Sequence, residues 1–279
     1  MKNWILRENC IDDSGTVKEV FEELVYSPNW FEIENEQIKT VVDIGALIGA
    51  FTVWAVETFP NATVYSFEPD NDSFKFLTKN FSNLSEEQKQ RVKLYNFAVW
   101  KDEQELILYG YRTRKASNSL VYKDLESIKS EKTKQVVKTM SFSNIFDLTG
   151  NIDLVKMDCE GAEHEILLAM DRNHLSKIKY LVGEFHDLDG KSPVDKLKNH
   201  LINMGFLVEV IPNGIKNNSK EIGYIYASRQ DSYNECTKSL QKIFDREEDL
   251  LAKNVNKIIS ILHSKRVKLA TKLCSFLGR

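Results

Sequence analysis

From about residue 40 the chain alternates between short runs that are apolar almost throughout and longer stretches with apolar residues at helical spacing. The runs VVDIG (41–45), TVYSFE (63–68), VKLYNFAV (92–99), IDLVKMD (152–158), YLVGEFH (180–186), FLVEVIP (206–212) and EIGYIYAS (221–228) predict strands. The stretches 49–58, 71–82, 161–171 and 193–204 predict helices between them. Strands that are apolar on both faces belong in a sheet covered by helices on both sides, so the pattern predicts a doubly wound α/β sheet. No helical stretch separates the last two strands. A Pro/Asn/Gly/Ser-rich turn stands there instead, which predicts a terminal antiparallel hairpin and a seven-stranded, Rossmann-like sheet.

Three regions fall outside this repeat. Residues 1–40 predict helical cover, with Ser14 or Asp13 as cap before an apolar stripe at Val17, Val20, Phe21 and Leu24. Within the main domain, 41–230, the runs ELILYG (105–110) and QVVKTMSF (135–142) predict an inserted hairpin over 105–142. Its long polar linker reads either as a lid or as an insertion without a role. Residues 231–279 predict a helical extension. From Leu250 it carries seven Lys or Arg and no acid, with Leu251, Val255, Ile258, Leu262, Leu269, Leu273 and Phe276 at helical spacing. Such a basic amphipathic helix suits peripheral contact with an anionic membrane, self-association, or packing on the domain.

Composition narrows the class. The 279 residues carry a net charge of −3, which gives no overall signal for nucleic acid. Cys10, Cys159, Cys236 and Cys274 lack paired spacing, arguing against a zinc ribbon or disulfide framework. The N-terminus has too short an apolar run for a signal peptide, and no segment approaches the roughly 18 apolar residues of a membrane span. A cytoplasmic protein is expected, with an inner membrane face as an optional address.

The candidate chemistry lies at strand ends. Asp43, Gly45, Ala46 and Gly49 stand at the turn from the first strand to the first helix, in a D-x-G-x-x-x-G pattern rather than the dinucleotide G-x-G-x-x-G. A carboxylate at Asp43 would repel pyrophosphate but suits a cationic sulfonium ligand. Glu68 ends the second strand about twenty residues on, placed to accept ribose hydroxyls, and Pro69 stops that strand. The fourth strand runs into KMDCEGAEHEIL, where Asp158, Glu160 and Glu163 crowd the junction, and the fifth closes with Glu184, His186 and Asp187. The helix dipole accounts for an acid in a first turn, such as Glu163, but not for Asp158 on an apolar strand. Of the five histidines only His186 falls at a strand's carboxyl end; His164, His174, His200 and His263 read as surface residues.

In DIGALIGAFT, VYSFEPDNDSFKFLTKN, YNFAVW, IDLVKMDCEGAEHEIL and YLVGEFHD, in that order over about 41–188, the chain resembles the FkbM-type methyltransferases of the class I S-adenosylmethionine-dependent superfamily. The resemblance implies methyl transfer from S-adenosylmethionine, typically to a hydroxyl of a sugar, glycan or polyketide-like acceptor. It implies that Asp43, Gly45 and Gly49 line the methionine end of the cofactor, Glu68 its ribose, and Phe97 and Ala98 its adenine. Asp158, Glu160, Glu184 and His186 would then orient or deprotonate the acceptor, with His186 as general base. A variant reading gives these oxygens to a divalent ion, Mg²⁺ or Ca²⁺. One departure stands out: the family usually carries asparagine after G-A, where this chain has Leu47. That keeps a non-catalytic binding or scaffold module as the rival reading.

Overall fold

The computed structural model describes residues 4–10, 12–27, 33–122, 131–188, 190, 193–212 and 221–229. Cys236, Cys274, the basic tail and its seven apolar positions, His263 and the 123–130 part of the linker lie outside the described residues. The elements that position the site are α1 (Asp12–Phe21), β1 (Thr40–Ile44), α2 (Ala50–Thr58), β2 (Thr63–Phe67), α3 (Asn71–Ser82), a short α4 (Glu86–Gln90) and β3 (Val92–Tyr95). There follow β4 (Ala98–Val99), β5 (Glu105–Tyr111), β6 (Lys132–Met140), α5 (Phe142–Thr149), β7 (Ile152–Met157), α6 (Ala162–Leu167) and α7 (Arg172–Leu175). The last are β8 (Ile178–Asp187), α8 (Val194–Asn203), β9 (Phe206–Pro212) and β10 (Glu221–Arg229).

Seven strands form one sheet in the order β3-β2-β1-β7-β8-β10-β9. The first five are parallel to one another, while β10 runs antiparallel to both β8 and β9, as the terminal hairpin required. Side-chain alternation divides the core. Val42, Ile44, Val155, Met157 and Leu181 pack on one face with Phe142 and Ile145 of α5, Ile166 of α6 and Leu197 of α8. Val41, Val64, Leu154 and Val182 pack on the other with Phe51 and Val56 of α2 and Val20 of α1. Helices therefore cover both faces, which is why the strands carry so few polar residues.

Several boundaries differ from the sequence reading. The run 92–99 is two strands in two sheets: β3 closes the main sheet, and β4 joins β6 and β5 in a separate three-stranded sheet. Asn96 makes the break, because its amide donates to the carbonyls of Glu68 (2.8 Å) and Pro69 (3.2 Å) and turns the chain away. The inserted hairpin pairs from Glu105↔Lys138 to Tyr111↔Lys132, but β6 stops at Met140. Ser141 then accepts from the Asn144 N–H and caps α5, a helix absent from the sequence reading. The helix expected over 161–171 ends at Leu167, and Asp171 caps the separate α7.

At the N-terminus, Val20 is buried, and Val17, Phe21 and Leu24 pack partly buried against the same cluster. Ser14 and Asp13 do not cap α1, since the helix already includes both. Asp13 instead forms a buried pair with Arg7, whose guanidinium also donates to Ser73 of α3 (2.7 Å). His164 is a further correction: it is 4% exposed, held on α6 with Nε2 at 3.3 Å from the Pro193 carbonyl oxygen. No helix among the described residues is long and apolar enough to cross a membrane.

Candidate active site

A cleft of about 380 Å³ opens at the carboxyl ends of β1, β2, β7 and β8, the place where doubly wound sheets hold ligands. Its floor is the turn after β1. Gly45 (φ 75°) and Gly49 (φ 89°) both sit in the left-handed region. A Cβ on Gly45 would lie 1.8 Å from the carbonyl oxygen of Asp158, so the turn closes against the β7 end only because residue 45 has none. The N–H groups of Gly45 and Ala46 donate to the Phe67 carbonyl (3.0 and 3.1 Å), tying the turn to β2. Leu47 is also left-handed, with φ 52°.

Glu68 meets that turn from the side. Its carboxylate accepts from the Leu47 N–H and the Asp70 N–H, both at 2.8 Å. Burial, then the nearby Asp70 carboxylate, push its pKa up to about 8. Pro69, Ala98 and Val99 continue the lining, whereas Phe97 is half-buried against the core and does not line the cleft.

Asp43 is fully buried. It accepts from Thr52 Oγ1 at 2.7 Å and lies 3.4 Å from the ammonium of Lys156, its register partner on β7. Lys156 also donates to the Gly45 carbonyl (2.8 Å), lies 4.0 Å from Asp158 and sits over the Tyr26 ring at 5.1 Å. Burial works against its charge, but Asp43 and Asp158 outweigh it and hold its pKa above the usual lysine range. A lysine within an apolar strand run was the available signal for this group; no role was read for it in the sequence.

The β7 and β8 ends meet as their order requires. Met157 pairs with Gly183, and Asp158, Glu184 and His186 each place one ligand-type atom within 4.8 Å of the others. Asp158 accepts from the Tyr26 hydroxyl at 2.9 Å. Glu184 lines the cleft, and burial together with Asp158 push its pKa up to about 8. Glu160 also lines it and has φ 53°. Glu163 is buried; its oxygens accept from the N–H groups of Cys159 and Gly161 (2.9 Å each), so it both caps its own helix and faces His186.

His186 is only 3% exposed and lies between two acids, with Nδ1 at 3.4 Å from Glu163 and Nε2 at 3.6 Å from Glu160. Burial opposes its charge, yet Glu160 and Glu163 hold its pKa well above the usual histidine range. Both of its ring nitrogens thus face carboxylates, and His186 itself does not line the cleft.

Two further walls complete the lining, and only the one from α1 was not foreseen. From α1 come Asp12, Thr16 and Glu19; from the insertion come Arg114, Lys115, Asn118 and Leu120. Arg114 pairs with Asp12 (3.2 Å) and Lys115 with Asp70 (3.1 Å) across the cleft mouth. Of the two readings of the linker, its described part lines the cleft.

Sheet order, glycine turn and strand-end acid together define a class I methyltransferase fold, and the donor set fits its cofactor. Glu68 offers a buried carboxylate to hydroxyl groups, and Gly45, Ala46 and Leu47 line the cleft beside it. The family description "Methyltransferase FkbM domain" matches residues 43–208, and the chain belongs to that family of S-adenosylmethionine-dependent methyltransferases. It is 26% identical over 188 residues to "Methyltransferase 1" of Beauveria bassiana, covering 61% of this chain and 73% of that one. It is 24% identical over 234 residues to the AMB antimetabolite synthetase AmbE of Pseudomonas aeruginosa, covering 72% of this chain but 11% of that much longer protein. Among solved structures, precorrin-6y C5,15-methyltransferase from Geobacter metallireducens aligns over 82% of this chain and 93% of its own, at 15% identity and a TM-score of 0.42.

Proposed function

We propose that this methyltransferase acts on oxygen, at a hydroxyl of a sugar, glycan or related metabolite. The supporting observation is the ring of carboxylates at the far end of the cleft from Glu68: Asp158, Glu160 and Glu184 all line it. A hydroxyl is a weak nucleophile unless its proton leaves as the new bond forms, and these oxygens can accept that proton. S-adenosylmethionine supplies the electrophilic methyl group when bound.

Gly45 and Ala46 are assigned to its methionine end, with Asp43 and Gly49 shaping the turn behind them rather than lining the cleft, Glu68 and Pro69 to its ribose, and Ala98 to its adenine. Proton removal is assigned to Glu184, since it lines the cleft and its pKa of about 8 lies near working pH. His186, buried and turned to Glu160 and Glu163, is reassigned from general base to a positioning residue behind Glu160. Asp158, fixed by Tyr26 and Lys156, orients the acceptor, and much of the rate comes from this positioning. The acidic lining, Glu19 included, favours a neutral or amine-bearing acceptor over a phosphorylated one.

The test has two stages. Calorimetric titration with S-adenosylmethionine and S-adenosylhomocysteine should show binding that falls on the order of 100-fold in Glu68→Ala, as expected for lost bonds to a charged acceptor. A screen of neutral, amine-bearing and phosphorylated sugars should then yield an O-methyl product whose formation collapses in Glu184→Gln with cofactor affinity kept. A product methylated on nitrogen or carbon, or full turnover in Glu184→Gln, would overturn the reading.

A further inference from the structure

We infer that Ser119 and Tyr122, in the insertion between β5 and β6, are positioning residues of the acceptor site that act through the main chain of Glu160 and His186. The inference rests on the reading of those two residues as acceptor-site groups. Neither hydroxyl belongs to a sequence motif, and both come from a segment far from β7 and β8 in the chain.

Ser119 is 1% exposed, and its main chain is pinned to β5 by a reciprocal pair of bonds with Tyr109, at 2.9 and 2.8 Å. Its hydroxyl donates to the carbonyl oxygen of Glu160 and accepts from the N–H groups of Val121 and Tyr122 (3.0 Å each). One donor and two acceptor positions are thereby all used, which fixes the hydroxyl's direction. The residue it holds is under backbone strain. Glu160 has φ 53°, a region that side chains with a Cβ rarely adopt and that persists only where the surroundings enforce it. That backbone geometry places the Glu160 carboxylate 3.6 Å from His186 Nε2.

Tyr122 holds the other side. Its hydroxyl donates to the carbonyl oxygen of His186 (2.9 Å) and accepts from the Leu188 N–H (3.1 Å). Its ring lies against Gly161, where a Cβ would meet Cε2 at 2.3 Å. The ring thus occupies the space that a side chain at 161 would take, and the hydroxyl fixes the end of β8. Loss of the Ser119 hydroxyl leaves the Glu160 carbonyl without that donor and frees residue 160 to relax, which carries its carboxylate away from His186.

The experiment uses the full chain, labelled with ¹⁵N-histidine, in the variants Ser119→Ala, Ser119→Thr and Tyr122→Phe. The His186 imidazole signals are identified by their disappearance in His186→Gln. Ser119→Ala and Tyr122→Phe should both shift those signals, Ser119→Thr should restore them, and S-adenosylhomocysteine affinity should stay within about twofold throughout. Unchanged imidazole signals in both variants would overturn the inference. So would a parallel loss of S-adenosylhomocysteine affinity, which marks a general structural role.

Should Ser119→Ala fail to fold, Tyr122→Phe removes a single oxygen and carries the same test. A second measurement isolates the strain: Glu160→Gly should melt above Glu160→Gln by about 2–4 °C, since only glycine relieves the left-handed backbone. Equal or reversed melting points would remove the strain and overturn the account of Ser119. This readout does not depend on which atom is methylated, so its failure and the failure of the O-methylation reading are distinguishable.

Discussion

At the end of the cleft assigned to the cofactor, the lining comes from the two ends of one β1–α2–β2 unit, 44–51 and 67–69. At the end assigned to the acceptor it comes from four separate segments: α1, the insertion, the β7–α6 turn and the end of β8. The first end depends on local backbone geometry, in which glycines admit a tight turn and a neighbouring acid accepts its N–H groups. The second depends on long-range closure, as where Asp158 accepts from Tyr26 and Glu160 meets His186. A short-range site can be read from spacing, while a site assembled from distant segments needs the topology first.

The sharpest way to break this division is at the residue that spans it. Lys156 is 3% exposed and reaches Asp43 at the cofactor end and Asp158 at the acceptor end. Lys156→Met keeps the stem but leaves two carboxylates uncompensated. Removing one partner of a buried pair costs about 3–5 kcal/mol, and chemical denaturation should show a loss of that order. Protonation relieves the repulsion, so the deficit should shrink in acid. A variant as stable as the parent would mean that the two ends are independent.

This comparison also explains what was legible. Asp43, Gly45, Gly49 and Glu68 stood out because their spacing along the chain is itself the geometry. The apolar runs gave the sheet, and the Pro/Asn/Gly/Ser-rich turn gave the antiparallel closure, since both are local patterns. The split at Asn96 was hidden because it depends on a side-chain bond to the Glu68 carbonyl, 28 residues away. The surroundings of His186 were hidden for the same reason: its ring nitrogens face Glu160 and Glu163 across the β7–β8 junction, which a lone histidine at a strand end does not reveal. By contrast α5 was readable. Ser141, then Phe142, Ile145 and Phe146 at helical spacing, then Gly150, is a capped amphipathic helix that the strand reading of 135–142 overran.

A pH series sharpens the comparison next, because each end holds one carboxyl raised to about 8, Glu68 and Glu184. A raised carboxyl keeps its proton in the folded state at pH values where the unfolded chain has lost it. Between the ordinary value of 4.5 and about 8 the folded state therefore binds more protons, so this contribution to stability falls as pH rises through that window. Glu68→Gln and Glu184→Gln should each flatten the decline between pH 5 and 8, measured by denaturant unfolding at fixed ionic strength. At the cofactor end alone, S-adenosylhomocysteine affinity should rise toward pH 8 as Glu68 ionises, and that rise should vanish in Glu68→Gln. A pH-independent affinity in the parent chain would mean that Glu68 does not accept the ligand's hydroxyls as a carboxylate.

The smallest effect concerns a feature the two ends share, a left-handed residue that is not glycine: Leu47 at one end and Glu160 at the other. Leucine has no side-chain polar group with which to stabilise that conformation, whereas asparagine tolerates it, and the difference is of the order of 1 kcal/mol. The FkbM resemblance places asparagine at this position. Since Leu47 meets Glu68 through its backbone N–H, at 2.8 Å, the side chain can change without removing that bond. Leu47 is only 9% exposed, so Leu47→Asn sets that relief against the burial of an amide, and the melting temperature should move by no more than about 2–4 °C while S-adenosylhomocysteine affinity stays within about twofold. A gain in affinity without a gain in stability would mean instead that the asparagine amide reaches the ligand, and that this chain's leucine sets how tightly the cofactor end holds it.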